Sequence, residues 1–510
     1  MAGKKRFAVN VMMNWVAVAV GMVVPFFLTP FVVRHLGTDA YGVWILAVST
    51  VSYLGLLDLG LRSAIIRFVS KANAEGNMQQ ARSAINAALW FRVLIASAVG
   101  LISLGLAAVF PRLFRVPAGM ERAAQITVLL CALGVAITLL SGVFGGVLSA
   151  INRFDVLSSI VVGQTLARAI GVLFILNHGG GLVQLAVWEF VVIALAGFAT
   201  LGAAFYLFPA ARTRLHKPQI ETLKKIWSYS FITFIIVVAA QIIFYSDNMV
   251  VGAFLSVEVV AFYSIGGSLA MYSGQVSTAM GQTFIPLASG MDATGRSNDL
   301  KKLLIRGTQA LLALALPINV ALVLRGKTFI NLWMGHQGAN FGAISGTVLQ
   351  ILMISQFFTI ANSTAAQISF GIEKHKAMAK VSVVEALLNL GLSIALVKTI
   401  GIYGVAWGTS IAMAIVHLAF WPANVHKMLG IRPLTYIWQG WIKITLAAVP
   451  FAILCAVTDK YWQPRSLIAF FGQIVAILPI YIVFVLIVFR EEAMEIFHRL
   501  KMSRARAVNI

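Results

Sequence analysis

Four basic side chains lie within long apolar segments of this sequence, where an unpaired charge is costly. They are Arg62, Arg92, Arg168 and Lys443. An arginine at the centre of a bilayer costs about 2.5–3.5 kcal/mol on insertion scales, so it is expected to face other helices or a water-filled space. The planar guanidinium matches the oxygens of a phosphate group through paired hydrogen bonds. The arginines therefore predict an anion-binding site inside a membrane protein.

Arg168 is the first candidate ligand because it lies near the middle of its apolar segment, on the same helical face as Gln164. The structural alternative is an arginine held by hydrogen bonds between helices. Arg92 is the second candidate, since no acidic residue lies at helical spacing from it. Asp58 and Arg62 are four residues apart, which favours a local ion pair and makes Arg62 a weaker candidate.

The second predicted lobe carries acidic and amide residues within its apolar segments. Asp247 and Asn248 are adjacent in one apolar segment, and Glu385 and Asn389 share a face of another. Ionisable groups within membrane spans usually mark a substrate or ion pathway. The structural alternative is a carboxylate satisfied by hydrogen bonds between helices.

The elements that must position these residues are membrane helices. Of the 510 residues, 60% are hydrophobic and only 11% are charged, and the mean hydropathy is +0.90. Apolar runs of about 20 residues recur along the chain, which is the length of a helical span. The fold class is therefore an all-α polytopic membrane protein. The two cysteines, Cys131 and Cys455, show no metal-ligand spacing, and we predict no metal site and no organic cofactor.

We predict about fourteen spans, near 8–33, 42–66, 86–109, 123–148, 156–177, 182–207, 227–255, 259–284, 303–324, 346–370, 380–400, 403–422, 437–457 and 467–489. Under this assignment 26 basic residues lie on the side of the termini and nine on the other side. The positive-inside rule then places both termini in the cytoplasm. This bias also accounts for the net charge of +22, so no nucleic-acid partner is predicted.

A basic stretch near the middle predicts a joint between two lobes. Residues 208–226 carry Arg212, Arg214, Lys217, Lys224 and Lys225 between apolar segments, and they are expected to form a cytoplasmic linker. Similar motifs recur about 220 residues apart, for example L-G-T-D-A-Y-G from Leu36 and L-S-V-E-V-V-A-F-Y from Leu255. We therefore predict lobes at 1–207 and 227–422, an added helix pair at 437–489 and a basic cytoplasmic tail at 490–510.

The run L-G-T-D-A-Y-G-V-W, followed by D-L-G-L-R-S-A-I-I-R-F, resembles the start of polysaccharide-transporter flippases (the Wzx-type flippases of O-antigen and other lipid-linked oligosaccharides). G-I-Y-G-V-A-W-G-T from Gly401 resembles the turn into helix twelve in their superfamily, the multidrug/oligosaccharidyl-lipid/polysaccharide exporters. The resemblance implies a flippase in the bacterial inner membrane that moves a polyprenyl-diphosphate-linked oligosaccharide outward by alternating access. Arg168, Arg92 and Arg62 would then bind the diphosphate, and the last two helices would offer a groove for the polyprenyl chain.

The same resemblance bears on energy coupling and partners. Members of the superfamily are driven by Na⁺ or H⁺, so Asp247, Glu385 and Asn389 are candidates for cation coupling. Expected partners are membrane lipids and the polysaccharide polymerase or assembly proteins. A multidrug exporter of the same superfamily is the first alternative, although it should have an acidic, aromatic cavity. A membrane glycosyltransferase or ligase is the second, but enzyme motifs are absent and the predicted external loops are short.

Overall fold

A computed structural model describes residues 2–58, 60–213, 215, 220–335, 340–374 and 376–489 of the chain. Arg214 and Lys217 of the predicted linker, and the whole predicted tail 490–510, lie outside these residues. The described residues form helices joined by short turns and contain no strand. This confirms the all-α fold class.

Most of the helices overlap the predicted segments, although α1 and α2 divide the first two segments differently. They are α1 (Ala2–Ser52), α2 (Leu61–Ala74), α3 (Met78–Leu113), α4 (Glu121–Ala150), α5 (Phe154–Asn177), α6 (Leu182–Leu207), α7 (Ile220–Phe254), α8 (Val257–Gly281), α9 (Phe284–Ala293), α10 (Ser297–Met334), α11 (Phe341–Gly371), α12 (Lys376–Ile400), α13 (Ile402–Leu429), α14 (Pro433–Thr435), α15 (Lys443–Leu446), α16 (Val449–Tyr461) and α17 (Leu467–Val488). Turns of 3₁₀ helix occupy Tyr53–Asp58 and Pro209–Ala211, and a π-helix occupies Tyr436–Ile442.

The predicted count of fourteen spans is not confirmed. Eleven of the described helical stretches are long and apolar enough to cross a membrane, or twelve if the bent pair Pro433–Leu446 and Val449–Tyr461 is one span. Predicted segments 8–33 and 42–66 lie in one stretch, Val9–Ala74, because only Gly37 departs from helical geometry within α1. Its φ of 79° is strained for any residue with a Cβ, so glycine is required at this break.

The chain divides into two compact units, Met1–Phe262 and Tyr263–Ile510, with the division inside α8. The predicted lobe boundaries at 207 and 227 stay a prediction. In the first unit, a Cβ on Gly42 would collide with the backbone carbonyl of Val257. Two motifs that match each other in the sequence are therefore in direct contact, and glycine permits their close approach.

In each unit the helices pack against one another and leave apolar side chains on the outside, as expected for a helix bundle in a membrane. In the first unit, α4 packs mainly against α3 and α6, and α1 packs against α5. In the second unit, α10 packs against α11, and α12 packs against α13. Large apolar side chains remain exposed on many helices, for example Leu101, Phe198, Ile468 and Ile487. Such exposed apolar surface is expected where lipid replaces water as the solvent.

Candidate functional site

A cavity of about 370 Å³ lies within the first unit. Its lining comes from the end of α1, the 3₁₀ turn after it and helices α2, α3, α4 and α7. The lining residues are Ser52, Gly55, Asp58, Arg62, Arg92, Val135, Thr138, Leu139, Gly142 and Gln241. Two of the three predicted phosphate ligands, Arg62 and Arg92, are thus brought together although they are thirty residues apart in sequence.

Arg92 is almost completely buried at the wall of this cavity, with its side chain 2% exposed. Its guanidinium forms an ion pair with Asp58 and donates a hydrogen bond to the Leu139 carbonyl at 2.5 Å. A Cβ on Gly142 would lie 3.1 Å from the same guanidinium, so the glycine makes room for it against α4. Nε and Nη2 of Arg92 have no hydrogen-bond partner among the described residues, although Nη2 forms the ion pair with Asp58. Nε is therefore a buried donor without a partner among these residues.

The spacing of Asp58 and Arg62 predicted an ion pair between them, but Asp58 pairs with Arg92 instead. The reason is that the two residues do not share a helix. Asp58 ends a 3₁₀ turn, and Gly60 adopts a left-handed conformation with a φ of 71° before α2 begins at Leu61. This break removes the one-turn spacing and turns Asp58 towards Arg92 on α3.

Arg62 is exposed in the cavity and has no carboxylate partner among the described residues. The lining therefore carries two guanidinium groups and one carboxylate, which leaves an excess of positive charge. Gln241, Ser52 and Thr138 add neutral polar groups, and the Gln241 amide donates to the Ser52 carbonyl at 3.4 Å. A cavity with this lining suits an anion that also carries hydroxyl groups.

Arg168 is not among the residues that line this cavity. It forms a two-pronged ion pair with Glu189 on α6, with Nε–Oε2 and Nη2–Oε1 distances of 2.6 and 2.5 Å. The neighbouring Trp188 donates its indole N–H to the Ala167 carbonyl at 3.1 Å. These contacts join α5 to α6. Glu189 lies on α6, so helical spacing along α5 could not indicate it as a partner of Arg168.

The candidates for cation coupling fall in different units. Asp247 is 5% exposed on α7 in the first unit, where the adjacent Asn248 donates to the Ser49 hydroxyl at 3.1 Å. Glu385 and Asn389 are buried on α12 in the second unit. Each unit therefore holds its own buried polar cluster.

The cluster around α12 contains two residues that the sequence did not single out. His417 on α13 places Nε2 3.6 Å from Glu385 Oε1. Thr409, also on α13, accepts a hydrogen bond from the Asn389 amide at 2.8 Å. Both are polar residues within an apolar segment, and this feature of the sequence could have indicated them as members of the cluster. Groups of three or more His, Cys, Asp or Glu side chains able to hold a metal are absent from the described residues.

The predicted span 303–324 leaves a further arginine, Arg325, in the loop that follows it. The structure places it inside α10, completely buried, where the helix departs from regular geometry. Its guanidinium contacts Asp459 at 3.3 Å and Gln473 at 2.6 Å, and it lies over the Phe470 ring. All three partners belong to the last two spans. The assignment failed because α10 continues to Met334, ten residues past the predicted end.

A family model described as "Polysaccharide biosynthesis protein" matches residues 7–291 of the chain. The chain belongs to this family. The membrane protein EpsK of Bacillus subtilis, itself described as uncharacterised, is 24% identical over 99% of this chain and 100% of that protein. AglR of Haloferax volcanii, described as a probable flippase, is 22% identical over 89% of each chain.

Solved structures show the same fold. The lipid II flippase MurJ in an inward closed conformation matches with a TM-score of 0.74 at 17% identity, covering 95% of this chain and 99% of that one. A multidrug transporter of the MATE family in an inward-facing conformation shares the fold as well. The chain therefore belongs to the polysaccharide biosynthesis family and has the fold of these transporters.

Proposed function

We propose that this protein moves a polyprenyl-diphosphate-linked oligosaccharide from the cytoplasmic to the outer leaflet of the inner membrane, for the synthesis of a cell-surface polysaccharide. The observation that carries the proposal is the positively charged cavity of the first unit, lined by Arg62 and Arg92. Its chemistry fits a diphosphate with attached sugars. The family and the flippase fold support the same substrate class.

Arg62 is the primary diphosphate ligand in this proposal because its guanidinium is exposed in the cavity and lacks a carboxylate partner. Arg92 has a second role. Its charge is balanced by Asp58, yet its unsatisfied Nε leaves one donor for the ligand. Ser52, Thr138 and Gln241 provide polar groups for the sugars. A cationic drug would instead need an excess of carboxylates in the cavity, and this lining has the opposite balance.

For Arg168 we propose the structural role that the sequence left as the alternative. Glu189 already occupies the two-pronged face of its guanidinium. Replacing Arg168 with alanine would leave the Glu189 carboxylate, which is 15% exposed, without its partner. We therefore expect Arg168→Ala to lower the amount of protein in the membrane, whereas a pure ligand residue would leave that amount unchanged.

The direction of transport follows from charge and alternating access. With an inside-negative potential, outward movement of each negative charge is favoured by about 2.3 kcal/mol per 100 mV. We propose that Na⁺ or H⁺ adds to this driving force through Asp247 in the first unit and Glu385 with Asn389 in the second. Transport by Asp247→Asn and Glu385→Gln proteins with unchanged ion and pH dependence would exclude these residues from coupling.

The decisive experiment replaces Arg62 in cells that lack the native copy. Arg62→Ala should cause lipid-linked glycan to accumulate on the cytoplasmic side, at a normal membrane abundance of the protein. Arg62→Lys keeps the charge but loses the fork, so it should transport poorly. Arg82→Ala is the matched control, since Arg82 is an exposed arginine on α3 outside the cavity. Normal translocation by an abundant Arg62→Ala protein would contradict the proposal.

A further inference from the structure

A second basic pocket lies in the second unit, far along the chain from the arginine cavity. It is a cleft of about 370 Å³ between the first turns of α10 and the segment from Ile431 to Lys443. Four cationic side chains line it: Lys301, Lys302, Arg306 and Lys443. The other described residues of its lining are Ile305, Gln309, Ile431, Thr435 and Gln439, and none of these carries a carboxylate.

Two helical stripes build the cleft. Lys301, Ile305 and Gln309 follow one another at four-residue intervals on α10, which places them on one face. Thr435, Gln439 and Lys443 repeat the same interval on the opposite wall. The buried Gln309 amide joins the two stripes by donating to the Gln439 carbonyl at 2.7 Å. The pocket is thus fixed by packing and not merely formed by mobile surface lysines.

The wall opposite α10 is a π-helix, Tyr436–Ile442, which is a rare element that often occurs at functional sites. The Tyr436 hydroxyl anchors it by donating to the Ala361 carbonyl at 3.1 Å. Lys443 follows the π-helix directly. Of the four cations that the sequence places within apolar segments, Arg62 and Arg92 line the arginine cavity and Arg168 pairs with Glu189, whereas Lys443 lies in neither setting. Lys443 therefore lines this pocket and not the proposed transport site.

An apolar stripe leads away from the pocket. Ile442 and Leu446 precede the 41° bend between α15 and α16, and Val449, Ile453 and Val457 follow it on one face of α16. All five side chains are 37–57% exposed. In a membrane protein such a stripe contacts lipid chains. A cationic pocket at the head of this stripe fits a molecule with a phosphate at one end and hydrocarbon at the other.

We propose that this pocket binds the phosphate headgroup of a membrane lipid, with the lipid chains along the stripe. Basic pockets between helices at the cytoplasmic side commonly recognise anionic headgroups in this way. The volume equals that of about twelve water molecules, at about 30 Å³ each, which is ample for a phosphate and its substituent. The charge bias of the sequence predicts that this end of α10 lies on the cytoplasmic side. The lipid is either a resident anionic phospholipid or the carrier of the proposed substrate.

Binding of defined lipids to the full-length protein tests the proposal. The protein is purified in a neutral detergent, and native mass spectrometry measures retention of phosphatidylglycerol or undecaprenyl diphosphate. Diacylglycerol tests chains without phosphate, and inorganic phosphate tests phosphate without chains. Both lipids are measured in an Arg62→Ala background, so that the arginine cavity does not hold the diphosphate. There the double variant Lys301→Gln with Lys443→Gln should bind both lipids at least about tenfold more weakly than Arg62→Ala alone, and Lys301→Arg with Lys443→Arg should restore binding.

The matched control is Lys427→Gln with Arg432→Gln, two exposed cations near the pocket that do not line it. This control should bind within about twofold of the unaltered protein. Preference for phosphatidylglycerol identifies a resident phospholipid, and preference for undecaprenyl diphosphate identifies the carrier. Equal loss in the control, equal binding of diacylglycerol, or equal binding of inorganic phosphate would each overturn the proposal.

The outcome is separable from that of the proposed function. Arg62→Ala should abolish glycan translocation and still retain phosphatidylglycerol at the second pocket. The Lys301 and Lys443 double variant should lose phosphatidylglycerol binding whether or not Arg62 binds the substrate. Failure of one test therefore leaves the other standing.

Discussion

Arg92 and Arg325 are the largest of the fully buried side chains in the described part of the molecule, one in each unit. Both contact a carboxylate, yet their surroundings differ. Arg92 borders a cavity that contains a second arginine, and its other partner is a single backbone carbonyl. Arg325 lies between packed helices, where its guanidinium contacts the Asp459 carboxylate, the Gln473 amide oxygen and the Phe470 ring. A buried arginine alone is therefore not evidence for a ligand site. The open cavity and the unbalanced neighbouring cation are the distinguishing features.

The largest effect is expected when Arg92 loses its carboxylate. Asp58→Leu leaves an uncompensated charge whose side chain is 2% exposed, which typically costs about 3–5 kcal/mol. The free energy of unfolding, measured by titrating dodecyl sulfate into a mild detergent, should fall by that amount. The double variant Asp58→Leu with Arg92→Met should regain most of it. If Asp58→Leu alone is as stable as the unaltered protein, the ion pair has been assigned the wrong role.

A smaller effect is expected at Arg325. Asp459→Leu removes one carboxylate, but Gln473 still accepts from the guanidinium at 2.6 Å and the Phe470 ring stays within 4.8 Å. Thr328 also loses its hydrogen bond to Asp459. We expect a loss of about 1–3 kcal/mol in the same unfolding assay. A loss larger than that of Asp58→Leu would reverse the comparison of the two arginines.

The smallest effect is expected at an exposed ion pair. Lys71 and Glu75 are one turn apart at 3.8 Å, and both side chains are at least half exposed. Glu75→Gln should change membrane abundance and glycan translocation by less than their experimental error, because an exposed pair of this kind contributes little. A clear loss of either would show that surface charge also matters, and that burial does not separate the three pairs.

The sequence predicted the fold class and the approximate bounds of most helices, because apolar length alone forces a helix in a bilayer. It also located Arg62 and Arg92 correctly within apolar segments. The predicted number of fourteen spans is not confirmed, since the first two predicted segments are joined in one stretch with a break of a single residue at Gly37. The end of α10 was also predicted too early, because this helix runs past Arg325 and Lys327.

The partners of the charges were beyond the sequence because they come from different helices. Periodicity relates residues on one helix, so it paired Asp58 with Arg62 and left Arg92 and Arg168 without carboxylates. The tertiary structure decided otherwise. A left-handed glycine between the 3₁₀ turn and α2 aims Asp58 at Arg92, and packing of α5 on α6 brings Glu189 to Arg168. The sequence by itself determined that charged residues lie within the apolar, membrane-spanning segments. Only packing between helices decided which charges are neutralised and which, like Arg62, have no carboxylate partner among the described residues.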